Sequence, residues 1–178
     1  MTIKEFIKIS DLEADIKGLQ GRMEELPKPY AVCRKKTPDT LNDLTMGELM
    51  QLQSISTGNE FLFVPCSVLL HIGEPKVMKA DAAEVLGFSY WVAREVKRIN
   101  KLFASTSVPP TPEEKQAGSD RLSFGLFGLL DYYARRMGIP DHEEVETVPW
   151  IRVYKCLDMD AKRMVFDRRL RNILMKNK

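Results

Sequence analysis

Apolar side chains recur every three to four residues along most of the chain after residue 40, which is the spacing of a helix that buries one face. The first such face consists of Leu41, Leu44, Leu49, Leu52 and Ile55. We expect this helix to end at Gly58, because glycine is favoured at the residue that follows a helix. A second helix, at about 60–71, is apolar nearly all round and is therefore predicted to lie deep in the core.

A long helix is predicted from about Ser89 to Phe103, where Val92, Val96 and Ile99 share one face. Its opposite face is basic and carries Arg94, Lys97, Arg98 and Lys101. We assign this basic face to the binding of a partner.

The C-terminal third shows the same helical spacing. Ser123 can cap a helix that ends at Gly138 with a left-handed backbone, and Pro140 suits the first turn of the short helix that follows. Asp158 or Asp160 can cap a final helix. The apolar face of that final helix consists of Phe166, Leu170, Ile173 and Leu174.

Residues 1–39 differ from the rest of the chain. Apolar residues at positions 3, 6, 7 and 9 are interspersed with charged ones, which allows a short strand, and the acidic stretch at 11–21 allows a weak helix. Pro27, Pro29 and Pro38 frame the basic run at 34–36, and prolines so close together forbid a continuous helix. We therefore expect an extended N-terminal arm.

Residues 105–120 form the best internal boundary, because this stretch is rich in proline and polar side chains and resists ordering unless a partner holds it. The predicted fold is all-α: a compact multi-helix domain in two lobes, 40–104 and 121–178, joined by a proline-rich linker. The arm at 1–39 precedes the lobes and has room for a short β-strand.

Composition and charge exclude several classes of protein. Of 178 residues, 44% are hydrophobic and 29% are charged, which is ordinary for a globular protein. A net charge of +2 is too small to attract nucleic acid or acidic lipid without a local basic patch. The three cysteines are widely spaced and form no CxxC pair, so we expect reduced thiols and no disulfide framework. The charged N-terminal residues and the short apolar runs predict an intracellular protein that is not embedded in a membrane.

The chain carries little that predicts catalysis. Its two histidines, His71 and His142, stand at a helix end and among acidic residues, and neither belongs to a recognisable set of catalytic groups. No phosphate-binding glycine loop and no metal-binding motif occurs. We expect a protein that is not an enzyme and that needs no cofactor and no metal.

One segment, 79–94, resembles the helix-turn-helix pattern of DNA-binding proteins. Ala83 would let two helices approach, and Gly87 would form the turn. The residues that would cap the recognition helix and read DNA are Ser89, Tyr90, Trp91 and Arg94. A DNA-binding regulator is therefore the alternative function, although a helix-turn-helix inside a core accounts for the same pattern.

The final helix is strongly basic. Its cations are Lys162, Arg163, Arg168, Arg169, Arg171, Lys176 and Lys178, against the single acid Asp167. A solvated face, an acidic protein partner and a phosphate backbone all fit this charge, and the sequence leaves the three open. We assign Arg168, Arg169 and Arg171 to partner binding together with the basic face of the long helix.

Two stretches carry a resemblance to small helical proteins of tailed bacteriophages. The segment 44–52 is similar to the "Leu-Thr-x-Gly-x-hydrophobic" opening of tail assembly chaperones, and the segments 124–130, 137–140 and 148–153 are similar to their second helical half. The resemblance implies a non-enzymatic assembly or virion protein, either a chaperone or a head–tail connector or ring subunit. It implies as partners other phage structural proteins, a helical client such as a tape measure, or further copies of the chain. Such a protein resides in the cytoplasm of the host bacterium, and a structural subunit enters the virion.

Overall fold

The computed structural model describes residues 1–10, 23 and 25–176. The described part is mainly helical with one two-stranded sheet, which confirms the all-α prediction. In chain order its elements are α1 (Ile3–Ser10), β1 (Ala31–Val32), β2 (Lys35–Lys36), α2 (Met46–Gln53), α3 (Gly58–Leu70), α4 (Glu74–Val77), α5 (Ala82–Ser105), α6 (Pro112–Gln116), a 3-10 turn (Ser119–Arg121), α7 (Gly125–Met137), α8 (His142–Glu146) and α9 (Trp150–Lys176).

The chain divides into two compact units. The first comprises Met1–Leu41 and Glu48–Arg98, and the second comprises Asn42–Gly47 and Ile99–Lys178. The predicted linker at 105–120 lies wholly within the second unit. The segment at 42–47 also belongs to the second unit, although the sequence suggested a first lobe that begins at residue 40.

The N-terminal segment of the first unit is helical, so the short strand allowed in the arm does not lie at residues 3–9. The strands of the arm lie instead at 31–36, which confirms that the arm contains short β-structure. Thr2 and Glu5 form a reciprocal cap: the Thr2 amide donates to the Glu5 carboxylate at 2.8 Å, and the Glu5 amide donates to the Thr2 hydroxyl at 3.3 Å. This cap starts α1 and buries Ile3 in the core. The weak helix suggested over 11–21 lies almost wholly among the residues that are not described.

A short antiparallel hairpin lies within the proline-framed stretch. Ala31 pairs with Lys36 and Val32 with Lys35, and the turn residues Cys33 and Arg34 both have a positive φ. The Lys35 ammonium then donates to the carbonyl of Leu70 at 2.6 Å and to that of His71 at 3.1 Å. The arm therefore caps the carboxyl end of α3.

Gly58 begins a helix, so the prediction that it ends one is wrong. Thr57 and Glu60 form a second reciprocal cap at the start of α3, and this cap places Gly58 in the first helical position. The apolar helix predicted at 60–71 is confirmed, with Leu62, Cys66 and Leu70 buried.

The long basic helix is confirmed but begins earlier than predicted. Residues Ala82–Ser105 form one continuous helix, so the turn predicted at Gly87 is wrong. Gly87 instead lies where the backbone of Pro27 passes close to the helix: a Cβ at position 87 would lie 2.5 Å from the Pro27 carbonyl oxygen. The glycine serves close packing rather than a change of chain direction.

The core of the second unit forms around Trp150, at the start of α9. The Trp150 amide donates to the Leu44 carbonyl at 3.0 Å, and the Met46 amide donates to the Val148 carbonyl at 2.8 Å. Trp150 is buried, and its ring lies 6.0 Å from that of Phe103. The segment before α2 is thereby joined to the C-terminal part of the chain.

The helices of the second unit follow the sequence signals in part. Gly138 ends α7 with a φ of 68°, as predicted. The residue that precedes the first turn of α7 is Phe124, so the prediction that Ser123 caps this helix is wrong. The final helix is continuous from Trp150, so the prediction that Asp158 or Asp160 caps it is wrong. The stretch at 105–120 is also ordered within the chain itself, because it contains α6, which a Thr111–Glu114 reciprocal cap begins.

Candidate protein-binding surface on the C-terminal helix

The first half of α9 is fixed to α7 by a polar cluster. The Tyr132 hydroxyl and the Arg136 guanidinium both donate hydrogen bonds to the carboxylate of Asp160. These bonds lower the pKa of Asp160. Burial, and the hydrogen bond to Asp160, raise the pKa of Tyr132 to about 12. The cluster holds α9 against α7 about two turns before the apolar stripe begins at Phe166.

Arg168 fixes the proline-rich segment to α9. Its guanidinium donates to the carbonyl of Pro109 at 2.7 Å and to both carboxylate oxygens of Glu114 at 3.0 Å. Nη2 makes both contacts with the Glu114 carboxylate and Nη1 makes the contact with Pro109, so the planar guanidinium joins two acceptors at once. Arg168 was predicted to bind a partner, and the structure places it in this contact within the chain.

An apolar stripe of four large side chains runs along the exposed part of α9: Phe166, Leu170, Ile173 and Leu174. At 3.6 residues per turn, these four positions fall within about 100° of the helix circumference. Each side chain is between 42% and 61% exposed. Every residue from Arg169 to Lys176 is exposed, so this end of the helix is uncovered on all sides within the described chain. Contiguous apolar surface of this kind marks interaction sites.

A row of cations borders this stripe on one side. Lys162, Arg169 and Lys176 are spaced by seven residues, which places them on nearly the same side of the helix. All three are exposed. The other border carries Asp167 and Arg171, so only one border is uniformly basic.

A cleft lies at the start of the stripe, beside the proline-rich segment. Its volume is about 380 Å³. Val108 and Pro109 line it from the segment, and Phe166, Lys162 and Arg169 line it from α9. The cleft therefore combines apolar walls with two members of the basic row.

The first unit contains a separate groove between α3 and α5. The rings of Phe61 and Tyr90 meet edge to face at 4.9 Å, and Arg94 and Lys97 complete the lining of a cavity of about 300 Å³. Two of the predicted partner-binding residues, Arg94 and Lys97, thus share one groove with an aromatic pair. Arg98 forms an ion pair with Glu95 at 2.9 Å.

The remaining predicted partner-binding residues lie in the second unit. Lys101 is exposed on α5, and Arg169 and Arg171 are exposed on opposite sides of the apolar stripe. Arg169 belongs to the basic row, and the structure gives Lys101 no part in either site.

The residues predicted to read DNA do not form a recognition helix. Ser89 lies in the interior of α5 and is fully buried, so it caps nothing. The Trp91 ring stacks on that of Phe88, with 5.9 Å between the ring centres. The Lys28 ammonium lies over the Trp91 ring, 4.6 Å from its centre, in a cation–π contact. Without a turn at Gly87, Tyr90 and Arg94 stand mid-helix, and the helix-turn-helix interpretation of 79–94 is wrong.

The described residues contain no group of three or more histidine, cysteine or acidic side chains placed to hold a metal ion. His71 ends α3 with a left-handed backbone, which confirms its position at a helix end. The His142 ring lies 4.9 Å from that of Phe127, and its Nε2 is 3.4 Å from Asp131. Among the helices of residues 1–10 and 25–176, none is both long enough and apolar enough to cross a membrane.

Comparisons with models of protein families, with curated protein sequences and with solved structures found no match to this chain. The candidate surface on α9 is therefore identified from its geometry alone. Sequence reasoning named Arg169 and the apolar face but missed the seven-residue spacing of Lys162, Arg169 and Lys176. That spacing was readable in the sequence, because the predicted final helix already contained all three residues.

Proposed function

We propose that this chain is a non-enzymatic assembly protein of a tailed bacteriophage, which binds another phage protein through the apolar stripe of α9. The observation that carries the proposal is the exposure of Phe166, Leu170, Ile173 and Leu174 on one side of a helix whose first half is firmly packed. The resemblance in segments 44–52 and 124–153 supplies the class of protein.

The energetics favour a binding role for the stripe. Covering the exposed part of each of these four side chains is worth roughly 1–2 kcal/mol, at about 25 cal/mol per Å² of apolar surface removed from water. A free helix end in water gains little from its own hydrogen bonds, since helices are stabilised mainly by packing. A partner that binds along the stripe would therefore gain affinity from burying these side chains. It would also stabilise the helical conformation of the exposed end of α9.

Two roles within this class fit the surface. In a chaperone role, the stripe shields the apolar face of a helical client such as a tape measure until assembly. In a structural role, the same stripe joins neighbouring subunits of a ring or connector. A chaperone would release its client on assembly, whereas a structural subunit would be found in the finished particle.

The test is co-expression of the full chain with each protein encoded by the genes that flank its own, followed by co-purification. We expect one of them to be retained by the native chain and lost from the double variant Leu170→Glu, Ile173→Glu. The matched control is Met164→Glu with Met175→Glu, because these two exposed methionines lie on the other side of the same helix. Equal retention by the stripe variant would overturn the proposal.

A further inference from the structure

We propose that α9 pairs with an amphipathic helix of its partner and that this helix carries glutamate or aspartate along the border of its own apolar face. The inference rests on the proposed function, because it specifies the chemistry of the partner that the stripe binds. It depends on three features of α9: the spacing of its apolar residues, the row of cations and the cleft beside them.

The apolar spacing is that of a helix that packs along another helix. From Phe166 to Leu170 is four residues, and from Leu170 to Ile173 is three. Alternation of four and three residues keeps an apolar seam facing a neighbouring helix over successive turns. In a heptad repeat, Phe166 and Ile173 take the d positions and Leu170 takes an a position.

In the same heptad register, the three cations of the basic row occupy equivalent positions. Lys162, Arg169 and Lys176 all fall at g, directly beside the seam. Side chains at g meet those at e or g of the neighbouring helix, depending on whether the two helices run parallel or antiparallel. A neighbour with acidic residues there would meet three cations in either direction. Lys162 forms an exposed ion pair with Asp158 at 2.6 Å, and such exposed pairs are weak enough to exchange partners.

The charges argue against a second copy of this chain as the occupant. An antiparallel pair of α9 helices would bring one basic row against the other. A parallel pair would place the two Arg163 side chains together in the seam, since Arg163 takes the a position before Phe166. The only attraction between charges in a parallel pair is between Lys162 of each helix and Asp167 of the other.

The borders of the stripe argue against an anionic membrane surface. A helix that lies in a membrane interface carries cations on its polar side and at both borders of its apolar face. In α9 one border carries Asp167, and the side opposite the stripe exposes Met164 and Met175. A single basic border instead fits one partner helix that lies along that side.

The cleft at the start of the stripe extends the same surface. Its apolar walls, Val108, Pro109 and Phe166, can receive one large side chain of the partner helix, while Lys162 and Arg169 stand beside it. Side chains that fill such pockets often dominate binding energy. Arg168 holds this wall in place through Pro109 and Glu114.

The experiment measures binding of the full chain to two labelled peptides by fluorescence anisotropy. Both peptides contain four heptads with isoleucine at a and leucine at d, and they differ only in glutamate or lysine at every e and g position. Like charges at these positions disfavour pairing of either peptide with itself. We expect the glutamate peptide to bind at least about tenfold more tightly at low salt, from three favourable pairs, and the preference to shrink in about 0.5 M NaCl.

Charge reversal provides the matched comparison. The triple variant Lys162→Glu, Arg169→Glu, Lys176→Glu is expected to prefer the lysine peptide. The control triple variant Lys4→Glu, Lys76→Glu, Lys79→Glu has the same net charge, alters exposed lysines elsewhere and is expected to keep the native preference. Circular dichroism checks that both variants remain helical.

Equal affinity for the two peptides, or no binding of either, would overturn the inference. Binding to phosphatidylglycerol vesicles in place of the peptides would assign the surface to lipid, and a dimer in light scattering that Leu170→Glu dissolves would assign it to a second copy. If the double stripe variant loses the natural partner while the peptides show no preference, the proposed function stands and this inference fails. If the double stripe variant keeps the partner, both fail.

Discussion

Gly87 packs against the carbonyl oxygen of Pro27 so closely that a methyl group at position 87 would lie 2.5 Å from that oxygen. A glycine in the middle of a 24-residue helix normally weakens the helix by about 1 kcal/mol relative to alanine. Its presence here is explained by the chain that crosses it.

We expect Gly87→Ala to lower the free energy of unfolding by roughly 1–3 kcal/mol, because the contact is with backbone and one of the two segments must shift. Urea unfolding followed by circular dichroism measures the change. Gly58→Ala is the matched control, since Gly58 is also helical and no atom lies within 4 Å of its added Cβ. A Gly87→Ala protein as stable as native would mean that the approach of Pro27 is loose.

Arg168→Ala is expected to loosen the proline-rich segment without unfolding the second unit. The side chain joins α9 to Pro109 and Glu114, which lie more than fifty residues earlier in the chain. Global stability should fall by about 1 kcal/mol or less, as is usual for partly exposed ion pairs. Hydrogen exchange of the amides at 111–117 should nevertheless become faster. Arg169→Ala, one residue away and outside this contact, should leave that exchange unchanged.

The Tyr132 cluster predicts a dependence of stability on high pH. The pKa of Tyr132 is raised to about 12 in the folded chain, against an ordinary value of 10. Between these values the unfolded chain loses the proton that the folded chain keeps, so the contribution to stability is full below pH 10 and is lost as the pH approaches 12. Absorbance of ionised tyrosine should show a step near pH 12 that belongs to Tyr132. Tyr132→Phe should remove this step, and Tyr30→Phe should retain it.

The same cluster acts in the opposite direction at low pH. Hydrogen bonds from Tyr132 and Arg136 lower the pKa of Asp160. The contribution of Asp160 to stability is therefore present above the ordinary aspartate pKa and is lost as the pH falls through the lowered value. Asp160→Asn should flatten the acid limb of the stability profile, which thermal melts at several pH values would measure. An unchanged acid limb would show that the cluster is not formed in solution.

Thiol reactivity should separate the three cysteines. Cys66 is fully buried in α3, and burial raises the pKa of its thiol to about 12. Because the thiolate is the reactive form, iodoacetamide at pH 8 should modify the partly exposed Cys33 and Cys156 well before Cys66. Mass spectrometry of the digested protein gives the order. Alkylation of Cys66 at the rate of Cys156 would indicate that the core of the first unit opens readily.

Local patterns in the sequence were sufficient to predict most helices. The apolar run at 60–71, the spacing of Val92, Val96 and Ile99, and the glycine at 138 each specify a helix or its end through the residues of one segment alone. The same patterns placed the apolar residues of the final helix on one face. These features could be read from the chain because helical periodicity and end signals depend on neighbours in sequence.

Other features depended on contacts between distant segments. Gly87 lies against the backbone of Pro27, sixty residues earlier, and Asp160 accepts hydrogen bonds from Tyr132 and Arg136 on another helix. The apolar faces of α5 and α9 have similar spacing, yet Val92 is buried and Leu170 is exposed. Spacing specifies which side chains share a face, whereas burial of that face requires a second surface to cover it. The sequence by itself therefore determined most of the helices and their apolar faces, and only the tertiary structure decided which of those faces remains uncovered within the described part of the chain.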